Sequence, residues 1–142
     1  MELSEIIEQT RQSELLRTFD INVERAEKGF VVLTMPVTPK VHQYIGIMNG
    51  GISLLLAETA ASLGAVVSSD LSKVTPVGIE INANHLRAVS RGSLRVEAKA
   101  VYHGRTLSVW QVEISNERGK LICVSRCTLS LKKGAAFPEK KS

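Results

Sequence analysis

The sequence predicts an α+β fold in which a curved antiparallel sheet wraps around one long central helix. Two observations carry this. Gly50 to Val67 is apolar nearly all round, with Glu58 as its only charge, and a helix of that kind belongs inside a protein. From Val77 to Leu131 the pattern changes to two-residue alternation broken by short turns, which reads as hairpin-linked antiparallel strands. A sheet with one apolar face can bury both itself and such a helix by curling around it.

Taken in order, Leu3, Ile6, Ile7, Leu15 and Leu16 stand among polar residues and suggest one or two amphipathic helical turns. Ile21 to Val23 and Phe30 to Met35 read as strands around the turn Glu27-Lys28-Gly29. Pro36 to Gly46 is a long polar loop with Gln43 near its end. The central helix is opened by Gly50 and Gly51 and closed by Ser68-Ser69-Asp70. Its Glu and its Ser and Thr interruptions argue against a membrane span. Val77, Ile79, Ile81 and Ala83 then share one strand face, and a phase slip near Asn84-His85 predicts a bulge. Leu94 to Tyr102, Leu107 to Ser115 and Lys120 to Leu131 complete the sheet, joined at Gly104-Arg105 and at Asn116 to Gly119.

At 142 residues the chain can bury roughly 70% of its unfolded surface in one core. Residues 1–133 are read as one domain and 134–142 as a solvated, mobile tail. With 44% hydrophobic and 23% charged residues the composition is that of a soluble globular protein. The 4% aromatic content is low for a nucleic-acid binder built on base stacking. The net charge of +4 comes partly from Lys132, Lys133, Lys140 and Lys141 in or beside the tail. Cys123 and Cys127 fall on one strand face roughly 13 Å apart, too far to bridge. Without His at ligand spacing they read as buried small hydrophobes rather than a metal site. Three acids and no basic leader in Met1 to Glu8 argue against a signal peptide, and a reduced cytoplasm is the expected compartment.

The chemistry centres on Glu58, because a carboxylate in an apolar helix must be neutralised, paired or put to use. Ser62, four residues on, shares its face. At the helix start the backbone N–H of Gly50 is an orphan donor in the positive end of the macrodipole, suited to a carbonyl oxygen that becomes an oxyanion. Such a donor is worth about 3 kcal/mol in a transition state. Glu58 lies roughly 12 Å further along the helix axis, too far for both groups of one chain to serve one carbonyl. Two subunits facing across a twofold axis could bring them together. The alternative is a Glu58 paired with Arg or Lys inside a dimer interface. His42, His85 and His103 form no recognisable nucleophile motif with Ser or Cys, and no G-x-G-x-x-G, P-loop or H-E-x-x-H string occurs.

The run Gln43-Tyr44-Ile45-Gly46-Ile47-Met48-Asn49-Gly50-Gly51 followed by Leu56-Ala57-Glu58 resembles the active-site segment of hotdog-fold acyl-CoA thioesterases. The likeness runs from about Phe30 to Leu131. Val77 to Arg87, His103-Gly104-Arg105 and Trp110 to Ile114 resemble the branch of 1,4-dihydroxy-2-naphthoyl-CoA hydrolases and of the proofreading thioesterase of enterobactin synthesis. This resemblance implies the hotdog fold, homodimers often paired into tetramers, and active sites at the dimer interface. It implies Glu58 as nucleophile or general base and the Gly50 N–H as the donor that polarises the thioester carbonyl. Gln43 would help hold that carbonyl, and Ser62 would position water or the acid. His85, Arg87, Gly104, Arg105, Ser125 and Arg126 match positions expected near the pantetheine arm or phosphates of coenzyme A, which is part of the substrate rather than a cofactor. No metal, membrane or nucleic acid is implied.

The chain departs from that branch at Asn49, where His is common before Gly-Gly. Asn can donate to a carbonyl but does not change charge near neutral pH, so hydrolysis is expected to survive with an altered rate, orientation or acyl preference. Two other readings stand beside this one. The chain could act on carrier-protein thioesters, or bind acyl-CoA without hydrolysing it. A dehydratase is disfavoured because His42 is not set against the helix acid.

Overall fold

A computed structural model describes residues 2–135, so most of the expected 134–142 tail, residues 136–142, lies outside the described residues. The N-terminal segment forms two short helices, α1 (Leu3–Arg11) and α2 (Glu14–Thr18). Ser13 separates them by capping α2, accepting from the Leu16 N–H at 3.3 Å. The strands are β1 (Asn22–Glu27), β2 (Phe30–Pro36), β3 (Val74–His85), β4 (Ser93–His103), β5 (Leu107–Ser115) and β6 (Leu121–Lys133). They form one antiparallel sheet in the order β1-β2-β4-β5-β6-β3. The hairpin reading of the sequence accounts for β1–β2, β4–β5 and β5–β6. β3 instead crosses to the far edge and pairs with β6.

The central helix α3 (Gly50–Val67) has the predicted bounds and lies against the strands. It is long and apolar enough to cross a membrane, and it packs its apolar surface into the sheet instead. Leu56, Ala57, Ala60, Ala61 and Ala65 are fully buried against Val96, Ala98, Trp110, Val112, Ile114 and Leu129. The small residues bring the helix backbone close to the sheet. At Gly64 the contact is closest, because the Trp110 indole occupies the space a Cβ would need. Cys123 and Cys127 are free, fully buried and on the inner face of β6.

The bulge in β3 is not at Asn84-His85 as the alternation suggested. The register against β6 shifts between Gly78 and Glu80, so Ile79 is the extra residue, while Asn84 and His85 pair regularly with Val124 and Cys123. This splits the expected apolar face. Ile81 and Ala83 pack on the core, whereas Val77 and Ile79 are 44% and 58% exposed. Apolar residues on both faces of an edge strand had mimicked one continuous stripe. Among the described strands β3 ends the sheet, leaving a twelve-residue edge with no partner strand in this chain.

Candidate active site

Glu58 emerges from the middle of α3, half-buried, where the helix crosses β3. Its Oε1 lies directly over Gly78, and any Cβ at that position would overlap the carboxylate. On its other side opens a groove of about 440 Å³ between α3 and the N-terminal helices, lined by Ile6, Leu15, Leu16, Leu55, Leu63 and Val66 with Thr10, Thr59 and Ser62. Ser62 therefore shares the Glu58 face as the helical spacing required. No ion pair involves Glu58 among the described residues. The nearby Cys127 thiol feels the acid: burial first, then the charges of Glu58 and Glu80, push its pKa up to about 11.

The start of α3 faces a different cavity, of about 350 Å³, lined by Gln43, Met48, Gly50, Ser53, His85, Arg87 and Val89 among others. Asn49 is the N-cap of the helix, its Oδ1 accepting from the Gly51 N–H at 2.8 Å. The Gly50 N–H has no intrahelical acceptor and is not the one Asn49 satisfies. Gln43 begins a turn closed by the Gly46 N–H donating to its carbonyl at 3.0 Å, with Gly46 at φ 82°. Its side-chain Oε1 accepts from the Ile45 N–H at 2.8 Å, which leaves the amide NH₂ as the group Gln43 can offer a ligand. The His85 imidazole lies on Gly50, with Nε2 at 3.0 Å from where a Cβ would stand. This close approach explains a glycine at the helix start independently of turn geometry.

The remaining expected coenzyme-binding residues do not gather in one place. His85 and Arg87 line the Gly50 cavity, at the end of the sheet where His85 pairs with Cys123. Gly104 and Arg105 form the β4–β5 turn at the opposite end, where the Leu131 N–H donates to Thr106, roughly 25 Å away along β6. Arg126 is exposed on the outer face of β6. Ser125 is only 5% exposed, lies on the inner face of β6 with its neighbours Cys123 and Cys127, and donates its hydroxyl to the Asn82 carbonyl at 2.8 Å. That bond braces β6 against β3.

Residues 45–123 match the model of the thioesterase superfamily. The chain belongs to that superfamily and is a thioester hydrolase. Among its relatives, a 1,4-dihydroxy-2-naphthoyl-CoA hydrolase from Listeria monocytogenes is 43% identical over 84% of this chain and 96% of its own length. The enzyme of the same name from Escherichia coli is 37% identical over 79% of this chain and 82% of its own. A thioesterase from Haemophilus influenzae superposes with a TM-score of 0.84 at 34% identity, covering 99% of this chain and 96% of its own.

A carboxylate beside an apolar groove is a group that can act as nucleophile or base, and an unpaired helix N-terminal donor is one that can hold a carbonyl oxygen. Here one chain presents them in two separate cavities. Sequence reasoning missed four residues around these two cavities. Gly78 seats the acid, and its signal was available as a glycine interrupting a strand. Ser53, 2% exposed, lines the Gly50 cavity one turn into the helix. Leu15 and Leu16 wall the groove, a role that depends on how α1 and α2 dock and leaves no mark in the local sequence.

Proposed function

We propose that the protein hydrolyses aryl-CoA thioesters, with 1,4-dihydroxy-2-naphthoyl-CoA of menaquinone or phylloquinone synthesis as the leading substrate, in active sites shared by two copies of the chain. The observation that carries this is Glu58 standing bare in the wall of an apolar groove, on a different cavity from the Gly50 N–H. The names of the Listeria and Escherichia relatives support the substrate. A thioesterase from Staphylococcus aureus has been solved with a glutamate and, separately, a glutamine replaced by alanine, and those two positions are as far apart as Gln43 and Glu58 here.

Antiparallel pairing of two β3 edges supplies the missing juxtaposition. Glu58 sits over Gly78 and Gly50 sits against His85, so a twofold axis between Ile81 and Asn82 sets each Glu58 opposite the partner's helix start. The acyl group then lies in the groove beside Glu58, its carbonyl oxygen held by the Gly50 N–H and the Gln43 amide across the interface. The same axis brings Arg87 of one copy level with the Arg105 turn of the other, and these two arginines contact the phosphates of coenzyme A.

In one route a Glu58 oxygen attacks the carbonyl carbon, the C–S bond breaks and coenzyme A leaves as thiolate; water then cleaves the mixed anhydride. In the other, Glu58 takes a proton from water, which attacks directly. After single turnover in ¹⁸O-water, label in the Glu58 carboxylate establishes the anhydride route with water entering at the glutamyl carbon, and rapid-quench trapping of the acylated Glu58 detects that route when water enters at the acyl carbon. A panel of aryl, fatty acyl and carrier-bound thioesters, read by thiol release, tests the substrate. Glu58→Gln should slow turnover by about 10²–10⁴-fold; a wild type without hydrolysis, or a Glu58→Gln variant at full rate, overturns the proposal.

A further inference from the structure

The turn between β4 and β5 is braced from two sides. On the inner side the Trp110 indole N–H donates to Ser108 Oγ at 2.6 Å, and Nδ1 of His103 lies 2.7 Å from the same oxygen. Trp110 and Ser108 are fully buried and His103 is half-buried. The indole can only donate, so Ser108 accepts from it, and the same hydroxyl is hydrogen-bonded to His103 Nδ1. A buried hydroxyl that lost that partner would be costly. On the other side the Tyr102 ring and hydroxyl lie across Gly104, filling the place of any Cβ, and the Gly104 N–H closes the turn on the Leu107 carbonyl at 2.8 Å. Arg105 follows immediately and is exposed.

This is more bracing than a surface hairpin requires. It starts from the indole that also packs on Gly64 of α3, so the turn is tied to the centre of the core. We propose that His103 is a positioning residue for substrate binding: through Ser108 and Trp110 it fixes the turn so that Arg105 is held ready for the anionic end of a CoA thioester. This rests on the reading of Arg105 as a phosphate contact given above. Pre-organising a long, flexible cation removes ordering cost at the moment of binding.

The test compares a CoA thioester with the N-acetylcysteamine thioester of the same acyl group, which has no phosphates. His103→Ala should raise the ratio of the two KM values by about tenfold, the size expected for weakening a charged hydrogen bond. His103→Asn, which can place an acceptor where Nδ1 stood, should restore the wild-type ratio. The Arg105→Ala/His103→Ala double variant should bind CoA thioester no worse than Arg105→Ala, because a residue acting only through Arg105 is not additive with it. Should His103→Ala not fold, Ser108→Ala breaks the same relay and is read the same way. Additive losses, or equal KM increases for both thioesters, overturn the proposal. If Arg105→Ala raises the ratio and His103→Ala does not, the relay idea fails and the phosphate reading stands. An Arg105→Ala enzyme with a normal ratio removes the phosphate reading and the inference with it.

Discussion

At the scale of single residues, Glu58 and Gly78 act as one unit, since the carboxylate occupies the space a Cβ at Gly78 would fill. Gly78→Ala must therefore displace the acid. We expect turnover to fall by at least tenfold while the melting temperature drops by only a few degrees, a change on the scale of about 1 kcal/mol. An alanine variant with normal turnover would show that the seat is immaterial. Beneath them, Cys127 titrates at about 11 against an ordinary 9.0, chiefly through burial. Its folded-state pKa is raised, so the stability it contributes is complete below pH 9 and is lost as pH climbs toward 11. Melting curves from pH 8 to 11 should show a loss of stability that shrinks in Cys127→Ala; the same slope in both proteins would exclude the thiol. Glu58 itself was legible from sequence because a lone charge in an apolar helix is conspicuous. The burial of Ser125 was not legible, because a small polar residue in a strand gives no local sign of which face it occupies.

Among the elements, α3 was the most legible, its ends marked by Asn-Gly-Gly and Ser-Ser-Asp and its burial by composition. Asn49, where the sequence resemblance leads one to expect His, has a local physical role: its side chain caps the helix. Asn49→Ala should lower stability by about 1 kcal/mol through loss of that cap, measured by urea denaturation; an unchanged midpoint would mean water replaces it fully. β3 was the least legible element. Its bulge at Ile79 turns the strand over between Gly78 and Ile81, and two short apolar runs on opposite faces imitate one long run. Pairing partners were hidden for the same reason, because β3 joins β6 across the sheet and the contact has no hairpin to announce it. α1 and α2 were read as amphipathic, but only their docking shows that Ile6 and Leu16 close one side of a groove.

For the whole molecule, the proposed site needs Glu58 from one copy and Gly50 from another, and mixing tests it directly. Glu58→Gln and Gly50→Pro, which removes the donor N–H at a first-turn position that tolerates proline, should each be nearly inactive alone. Refolded together they form a mixed dimer with one intact site, and about a quarter of wild-type activity should return if subunits pair at random. No recovery on mixing would mean that each chain supplies its own complete site. The single tryptophan of the chain has a use of its own here. Trp110 has no exposed surface, is hydrogen-bonded, and touches α3 at Gly64 from the middle of β5. Its fluorescence therefore has one source, and that source sits at the helix–sheet contact. The emission maximum should shift to the red when helix and sheet separate, giving an intrinsic optical reading of core opening without an added dye.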